Sequence, residues 1–177
     1  QEGSGNLRLY QDGAQLANAT LTSITTNNEP FSIGGKGYTG HTNFDGEIDE
    51  IIIYNRTLSV REINDHLNSR GVFLFLLKEK MPINEKNIIK IHSMLMKNID
   101  KRIGYRKHDV RVLGARFKAS PVDYIHIDMN LLLKWYRKNK NSLHPLALAS
   151  IFHHKFEKIH PFYDGNGRTG RMLSNLI

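Results

Sequence analysis

The sequence contains no cysteine, which excludes disulfide bridges and thiolate metal sites and suits a reducing compartment. The longest uncharged apolar run, VFLFLL at residues 72–77, is far short of the roughly 20 residues that a membrane-spanning helix needs. No stretch of these residues reads as a signal peptide. The HExxH zinc sequence is missing, and so is any recognised nucleic-acid-binding motif; few aromatics interleave with the lysines, so nucleic acid is not the expected partner.

What is present suffices for a folded core: 177 residues, 40% of them hydrophobic, can make one ordinary domain or two small ones. The net charge of +8 is unevenly spread, with five Lys/Arg against nine Asp/Glu in residues 1–70 and twenty against eight in residues 71–177. Such asymmetry predicts two units with different surroundings. We expect an all-β unit over residues 1–70, a junction over 71–84 and a mainly helical unit over 85–177. The junction, with neither Gly nor Ser in 72–84, does not have the composition of a flexible linker.

In the first unit Leu7, Leu9 and Tyr10 lead into Gln11-Asp12-Gly13, a turn signal, and residues 16–21 read as the returning strand of a hairpin. Phe31-Ser32-Ile33 runs into glycines, and residues 44–54 suggest a buried strand. Ser59 with Glu62 forms a capping-box pattern, predicting a short helix to about Asn68 that Gly71 would end. The strings LRLYQDGAQL, FSIGG and FDGEIDEIIIYNRTLSVREI resemble the C-terminal part of a laminin G-like domain, a concanavalin A-type jelly roll. That resemblance implies a partial β sandwich with further strands upstream, a carbohydrate or protein ligand, sometimes bound through calcium, and an extracellular or cell-surface setting. Asp45, Glu47, Asp49 and Glu50 read better as alternating or solvent-facing strand residues than as a calcium cluster. Asn18-Ala19-Thr20 and Asn55-Arg56-Thr57 are glycosylation sequons, relevant only to an exported chain.

In the second unit Asn84 caps a helix whose apolar face is Ile88, Ile91, His92, Leu95, Met96 and Ile99. Residues 103–117 alternate around Gly114 and predict a short exposed hairpin. Helical spacing returns at Ile125, Met129, Leu132, Leu133 and Tyr136, with Trp135 a core residue rather than a ligand platform. His144-Pro145 opens a helix that is apolar over most of its circumference and is expected to be the central helix of a bundle. His153, Glu157 and His160 share one of its faces, but adjacent histidines cannot face one ion and a proline follows His160, so they are read as polar groups on its less buried side rather than as a metal site.

The richest stretch is HPFYDGNGRTGR, residues 160–171. Pro161 stops the helix, leaving His160 at its end as a candidate general base for a hydroxyl proton. Asp164 is the carboxylate of the loop and the candidate Mg²⁺ ligand. Gly165, Asn166 and Gly167 allow backbone N–H groups to converge on an anion where the next helix begins. Arg168 and Arg171, three apart on that helix, can reach phosphates together.

This string matches HPFx[DE]GNGRxxR, and the chain from about residue 80 resembles the Fic domains, which transfer AMP from ATP to hydroxyls on proteins. The resemblance implies ATP and Mg²⁺ as requirements, a Ser, Thr or Tyr hydroxyl of a protein as acceptor, and a cytoplasmic setting. It also places Thr169 and Gly170 in the nucleotide-binding stretch, and makes Val112, Leu113, Gly114 and Ala115 a flap that positions the target by strand addition. Arg168 and the intact glycines favour AMP over phosphate transfer. The inhibitory string [ST]xxxE[GN] of many relatives does not occur here, so restraint is expected from an inhibitory helix outside these residues, from an antitoxin partner, or not at all. Family members continue through more helices than residues 85–177 can hold, so further sequence is expected downstream. A different class of function remains open: an extracellular carbohydrate- or protein-binding jelly roll with an inactive Fic-like bundle.

Overall fold

The chain divides into two compact units, Gln1–Leu58 and Ser59–Ile177. A computed structural model describes residues 5–11, 13–21, 33, 35, 45, 46, 48, 51–112 and 114–177. In the first unit strands β1 (Gly5–Gln11) and β2 (Ala14–Leu21) form the expected antiparallel hairpin. Gly13 turns it with φ 81°, and an irregularity between Leu9 and Tyr10 adjusts the register. The strings FSIGG and FDGEIDE lie largely outside the described residues. Residues 51–54 form no strand, contrary to expectation, and Ile51, Ile52 and Ile53 are exposed. A strand needs a neighbour, and among the described residues β1 and β2 pair only with each other.

The second unit is helical: α1 (Val60–Lys78), α2 (Glu85–Leu95), a 3₁₀ turn (Val122–Tyr124), α3 (Ile125–Asn139), α4 (Pro145–Ile159) and α5 (Asn166–Ser174). Both halves of the Ser59 capping box are made, the Ser59 hydroxyl accepting from Glu62 N–H at 3.2 Å and Ser59 N–H donating to Glu62 at 2.8 Å. The helix does not end near Gly71 as predicted; it runs to Lys78. Glycine inside a helix costs only about 1 kcal/mol. Beyond it Val72 is 1% exposed and Leu76 packs against the core, so continuing buries the apolar run that stopping would strand. Asn84 caps α2 as expected, accepting from Asn87 N–H at 2.9 Å.

The core forms where these faces meet. Ile88, Ile91 and Leu95 of α2, Ile125 and Met129 of α3, Phe152 and Phe156 of α4, and Leu173 of α5 are each at most 1% exposed. Helix α4 packs on α3 and α5, and α2 on α1 and α5. Helix α4 is buried on one side only, since Leu146 is 74% exposed. Residues 103–117 form no hairpin: among their described residues there is no strand, and Leu113 lies outside those described. Their end groups bond elsewhere, Arg106 N–H to the Pro161 carbonyl and the Asp109 carboxylate to Val122 N–H, which leaves a loop turned at Gly114. No described helix is long and apolar enough to cross a membrane.

Phe152 fills the centre of this packing and meets Tyr136 edge-on at 5.7 Å. Phe152→Ala is expected to remove about 3–5 kcal/mol of unfolding free energy, measured by urea denaturation. A loss under about 1 kcal/mol would mean that the ring is not where the core is closed.

Candidate active site

Helix α4 ends because Pro161 cannot follow in helical geometry. His160 takes up the reversal in the left-handed region, at φ 52° and ψ 58°. That conformation costs a non-glycine residue about 1–2 kcal/mol and is held from both sides. His160 N–H donates to Phe156 O at 3.0 Å, and Arg106 Nε donates to His160 O at 2.9 Å. Arg106 is 2% exposed and also donates to the carbonyls of His108 and Ser120. The next residues are anchored as firmly: Phe162 is fully buried and stacks on His92 at 3.7 Å with the rings 8° from parallel.

The Gly-Asn-Gly segment is closed by a side chain. Asn166 Oδ1 accepts from Phe162 N–H at 2.9 Å while its Nδ2 donates to Phe162 O at 2.8 Å. The resulting bend puts Gly165 at φ 77° and against α2, where a Cβ would stand 2.7 Å from Met96 Sδ, so glycine is required twice over. His92 Nε2 lies 3.0 Å from Asp164 O, the right distance for its N–H to donate there. Helix α5 then begins with Thr169 N–H bonded to Gly165 O at 2.9 Å. The N–H groups that precede it have no intrahelical partner and carry the positive end of the helix dipole.

The charges of the site are already paired with one another. Asp164 accepts from Gly165 N–H at 2.6 Å, lies 3.3 Å from Arg168, and is ion-paired to Arg61 of α1. Arg168 is ion-paired to Asp65, one turn further along α1. Burial pushes the Arg168 pKa below the usual arginine value, and the charges of Arg61 and Arg171 push the same way. Arg171 is exposed, and its Nη1 would meet a Gly167 Cβ at 3.3 Å. The His160 ring is 17% exposed, with Nδ1 3.9 Å from Glu157 Oε2. Burial lowers its pKa below 6.5 against the raising effect of Glu157, so the neutral imidazole prevails at neutral pH.

One stretch therefore joins His160, Asp164 and Gly165 of the loop to Asn166, Gly167, Arg168 and Arg171 of helix α5. Thr169 and Gly170 belong to the packing instead. Thr169 is fully buried, and a Cβ on Gly170 would lie 2.6 Å from His153 Nδ1, so this turn of α5 is pressed onto α4 and away from solvent. Val112, Gly114 and Ala115 lie in the loop that starts at Arg106. Sequence reasoning did not single out Arg106, Arg61 or Asp65, and took His92 for one more position on an apolar face. A polar residue on that face, such as His92 on α2, was the available signal.

Two family models match the chain: the Fic/DOC family over residues 82–177, and the concanavalin A-like lectin/glucanases superfamily over residues 2–64. A probable protein adenylyltransferase of Aquifex aeolicus is 38% identical over 95 residues, covering 54% of this chain and 29% of that protein. The protein adenylyltransferase Fic of Drosophila mojavensis is 30% identical over 150 residues, 80% of this chain and 30% of that protein. The chain thus spans under a third of these relatives' length. Among solved structures, a Fic domain-containing signaling protein from Bacteroides thetaiotaomicron superposes with a TM-score of 0.62 at 25% identity, covering 69% of this chain and 50% of that one. Fic-1 from C. elegans gives 0.57 at 29% identity, with coverages of 71% and 38%.

Burial lowers the pKa values of both His92 and His160 from 6.5. Just below that value the unfolded chain binds protons that the folded chain does not, so stability falls as the pH drops below about 6.5. The melting temperature is expected to decline below that pH, and less steeply in His92→Gln, which keeps a donor for Asp164 O. A flat profile down to pH 5 or so, about where histidines of the unfolded chain are almost all protonated, would contradict the buried neutral imidazoles.

Proposed function

Because the chain belongs to the Fic/DOC family, we propose that it transfers AMP from ATP to a Ser, Thr or Tyr hydroxyl of a target protein, with His160 as general base. The names of its relatives support the reaction. The single observation that carries it is the stretch from His160 to Arg168, where the hydrogen bonds of Arg106 and Asn166 and the Asp164–Arg168 ion pair hold an imidazole, a carboxylate, a helix start and a guanidinium together.

The His160 Nδ1 edge faces Glu157, leaving Nε2 to take the hydroxyl proton. The freed oxygen forms a bond to the α-phosphorus as the bond from that phosphorus to the bridging oxygen breaks, and pyrophosphate leaves. The open N–H groups at the start of α5 would bind phosphate oxygens, and Arg168 and Arg171 the outer phosphates. Asp164 fits a divalent ion: it is a partly exposed carboxylate that gathers positive charge, from Arg61 and Arg168, where phosphates would lie. Mg²⁺ held through Asp164 would neutralise phosphate charge and fix phosphate orientation. Asp65 sits where a phosphate would meet Arg168. ATP therefore exchanges with Asp65 for that guanidinium.

The remaining roles are proposals of the same kind: residues 85–177 as the catalytic domain, restrained by an inhibitory helix or an antitoxin partner, and a β unit within residues 1–70 that recognises a glycan or a protein. The superfamily match over residues 2–64 favours that recognition role. If no label moves from ATP under any condition while a glycan or protein still binds, recognition is the working activity.

ATP labelled at the α-phosphate should label protein substrates and ATP labelled at the γ-phosphate should not, with the signal lost in His160→Ala. Transfer of γ-label would assign phosphate transfer instead. Asp65→Asn is expected to tighten ATP binding roughly two- to fivefold by removing a competing anion whose pairing is worth up to about 1 kcal/mol. Weaker binding measured by calorimetry would show that Asp65 supports the site rather than competes for it.

A further inference from the structure

The loop that starts at Arg106 carries more positive charge than the fold uses. Residues 101–118 hold seven Lys/Arg and one carboxylate, Asp109. Arg106 is consumed by the carbonyls of His108, Ser120 and His160, and Arg102 by Asp100 at 2.5 Å. Asp109 is consumed as well, accepting from Val122 N–H at 2.8 Å and lying 3.6 Å from Arg106. Lys101, Lys107, Arg111, Arg116 and Lys118 are exposed, and their side chains form no ion pair among the described residues. An unpaired cluster of like charge is repulsive, and an anion that settles among the cations relieves it.

Three of these cations surround a cavity of about 430 Å³, where Arg111, Arg116 and Lys118 stand beside Val110, Val112 and Phe117. That volume is within the range of ligand clefts, and its mixture of apolar wall and cationic rim suits side chains that are themselves mixed. The backbone here is also open. Among the described residues of 107–119 the one bond between main-chain groups is Ala115 N–H to Val112 O, at 3.3 Å. Apart from Lys107 N–H and the His108 carbonyl, which side chains occupy, the remaining N–H and C=O groups described here can pair with an extended segment laid alongside. The loop is rooted at the candidate active site, since Arg106 N–H bonds to Pro161 O at 2.9 Å and Lys107 N–H to the Tyr163 hydroxyl at 3.0 Å.

We propose that this loop selects protein targets by charge, binding extended segments that carry Asp or Glu beside the hydroxyl to be modified. The inference rests on the adenylyl-transfer reading for its purpose and on the loop's own residues for its chemistry. A nucleic acid would satisfy the cations, but it has no amide backbone to pair with the open main chain, and among the described residues lining the cavity Phe117 is the one aromatic for bases to stack on.

The test measures binding rather than transfer. Fluorescent short peptides with one central Thr, flanked by alternating Glu and Ala or by alternating Gln and Ala, are titrated against the whole chain by anisotropy. The Glu peptide should bind about tenfold more tightly, with the advantage shrinking as NaCl rises from about 50 to about 300 mM. The variant Arg111→Glu/Arg116→Glu/Lys118→Glu should lose the preference while keeping the parent's melting temperature and ATP affinity. Equal binding of the two peptides, displacement of the Glu peptide by saturating ATP, or equally tight binding of a single-stranded RNA of matched charge would each overturn the proposal. Transfer of α-label with no acidic preference sinks this inference alone, and acidic binding with no transfer sinks the adenylyl-transfer reading alone.

Discussion

Asn166 is 2% exposed, and its amide occupies both backbone groups of Phe162, four residues before it. Each such bond contributes about 0.5–1.5 kcal/mol net, but an unmade one inside the fold would cost about 1–3 kcal/mol, so the closed loop is far more favourable than a frayed one. The rest of the site depends on that closure. It brings Gly165 against Met96, sets the direction of α5 and keeps Phe162 stacked on His92. A histidine and an arginine eight positions apart in sequence thereby become parts of one rigid object. The glycines serve the bend, while the asparagine between them holds it shut.

A second clasp works from outside the motif. Arg106 places one buried guanidinium on carbonyls from His108, Ser120 and His160, so the end of α4 and both ends of the loop at residues 107–120 are tied to a single group. Burying a cation is costly unless it is fully hydrogen-bonded. Here the carbonyls, with Asp109 nearby, supply those partners. Burial still lowers the Arg106 pKa somewhat, with Asp109 opposing. The backbone conformation of His160 is therefore maintained by a residue 54 positions away.

That distance explains what the sequence could and could not convey. Helices α2 and α4 were legible because their determinants are local: Asn84 and Pro145 mark the starts, and apolar residues recur at three- and four-residue spacing. The loop chemistry was legible because its groups are adjacent in HPFYDGNGRTGR. Gly71 misled because a stop signal and a buried Val72 sit side by side, and the burial outweighs glycine's modest penalty. The alternation in residues 103–117 misled because a two-stranded ribbon needs a partner surface, and these residues spend their end contacts on Pro161 and Val122 instead. Arg61, Asp65 and His92 reach the site over 72 to 103 positions, and no local spacing encodes such contacts.

The Arg168 guanidinium has 18% of its side chain exposed and already lies against Asp65 and Asp164. It has given up most of its hydration and rotamer freedom during folding, before any ligand arrives. A phosphate that reaches it therefore meets a group whose orientation needs no further entropy loss. Such an encounter is an exchange of one anion for another within a fixed frame. Its selectivity then depends on which anion fits the frame, and less on how strongly a free arginine attracts negative charge in water.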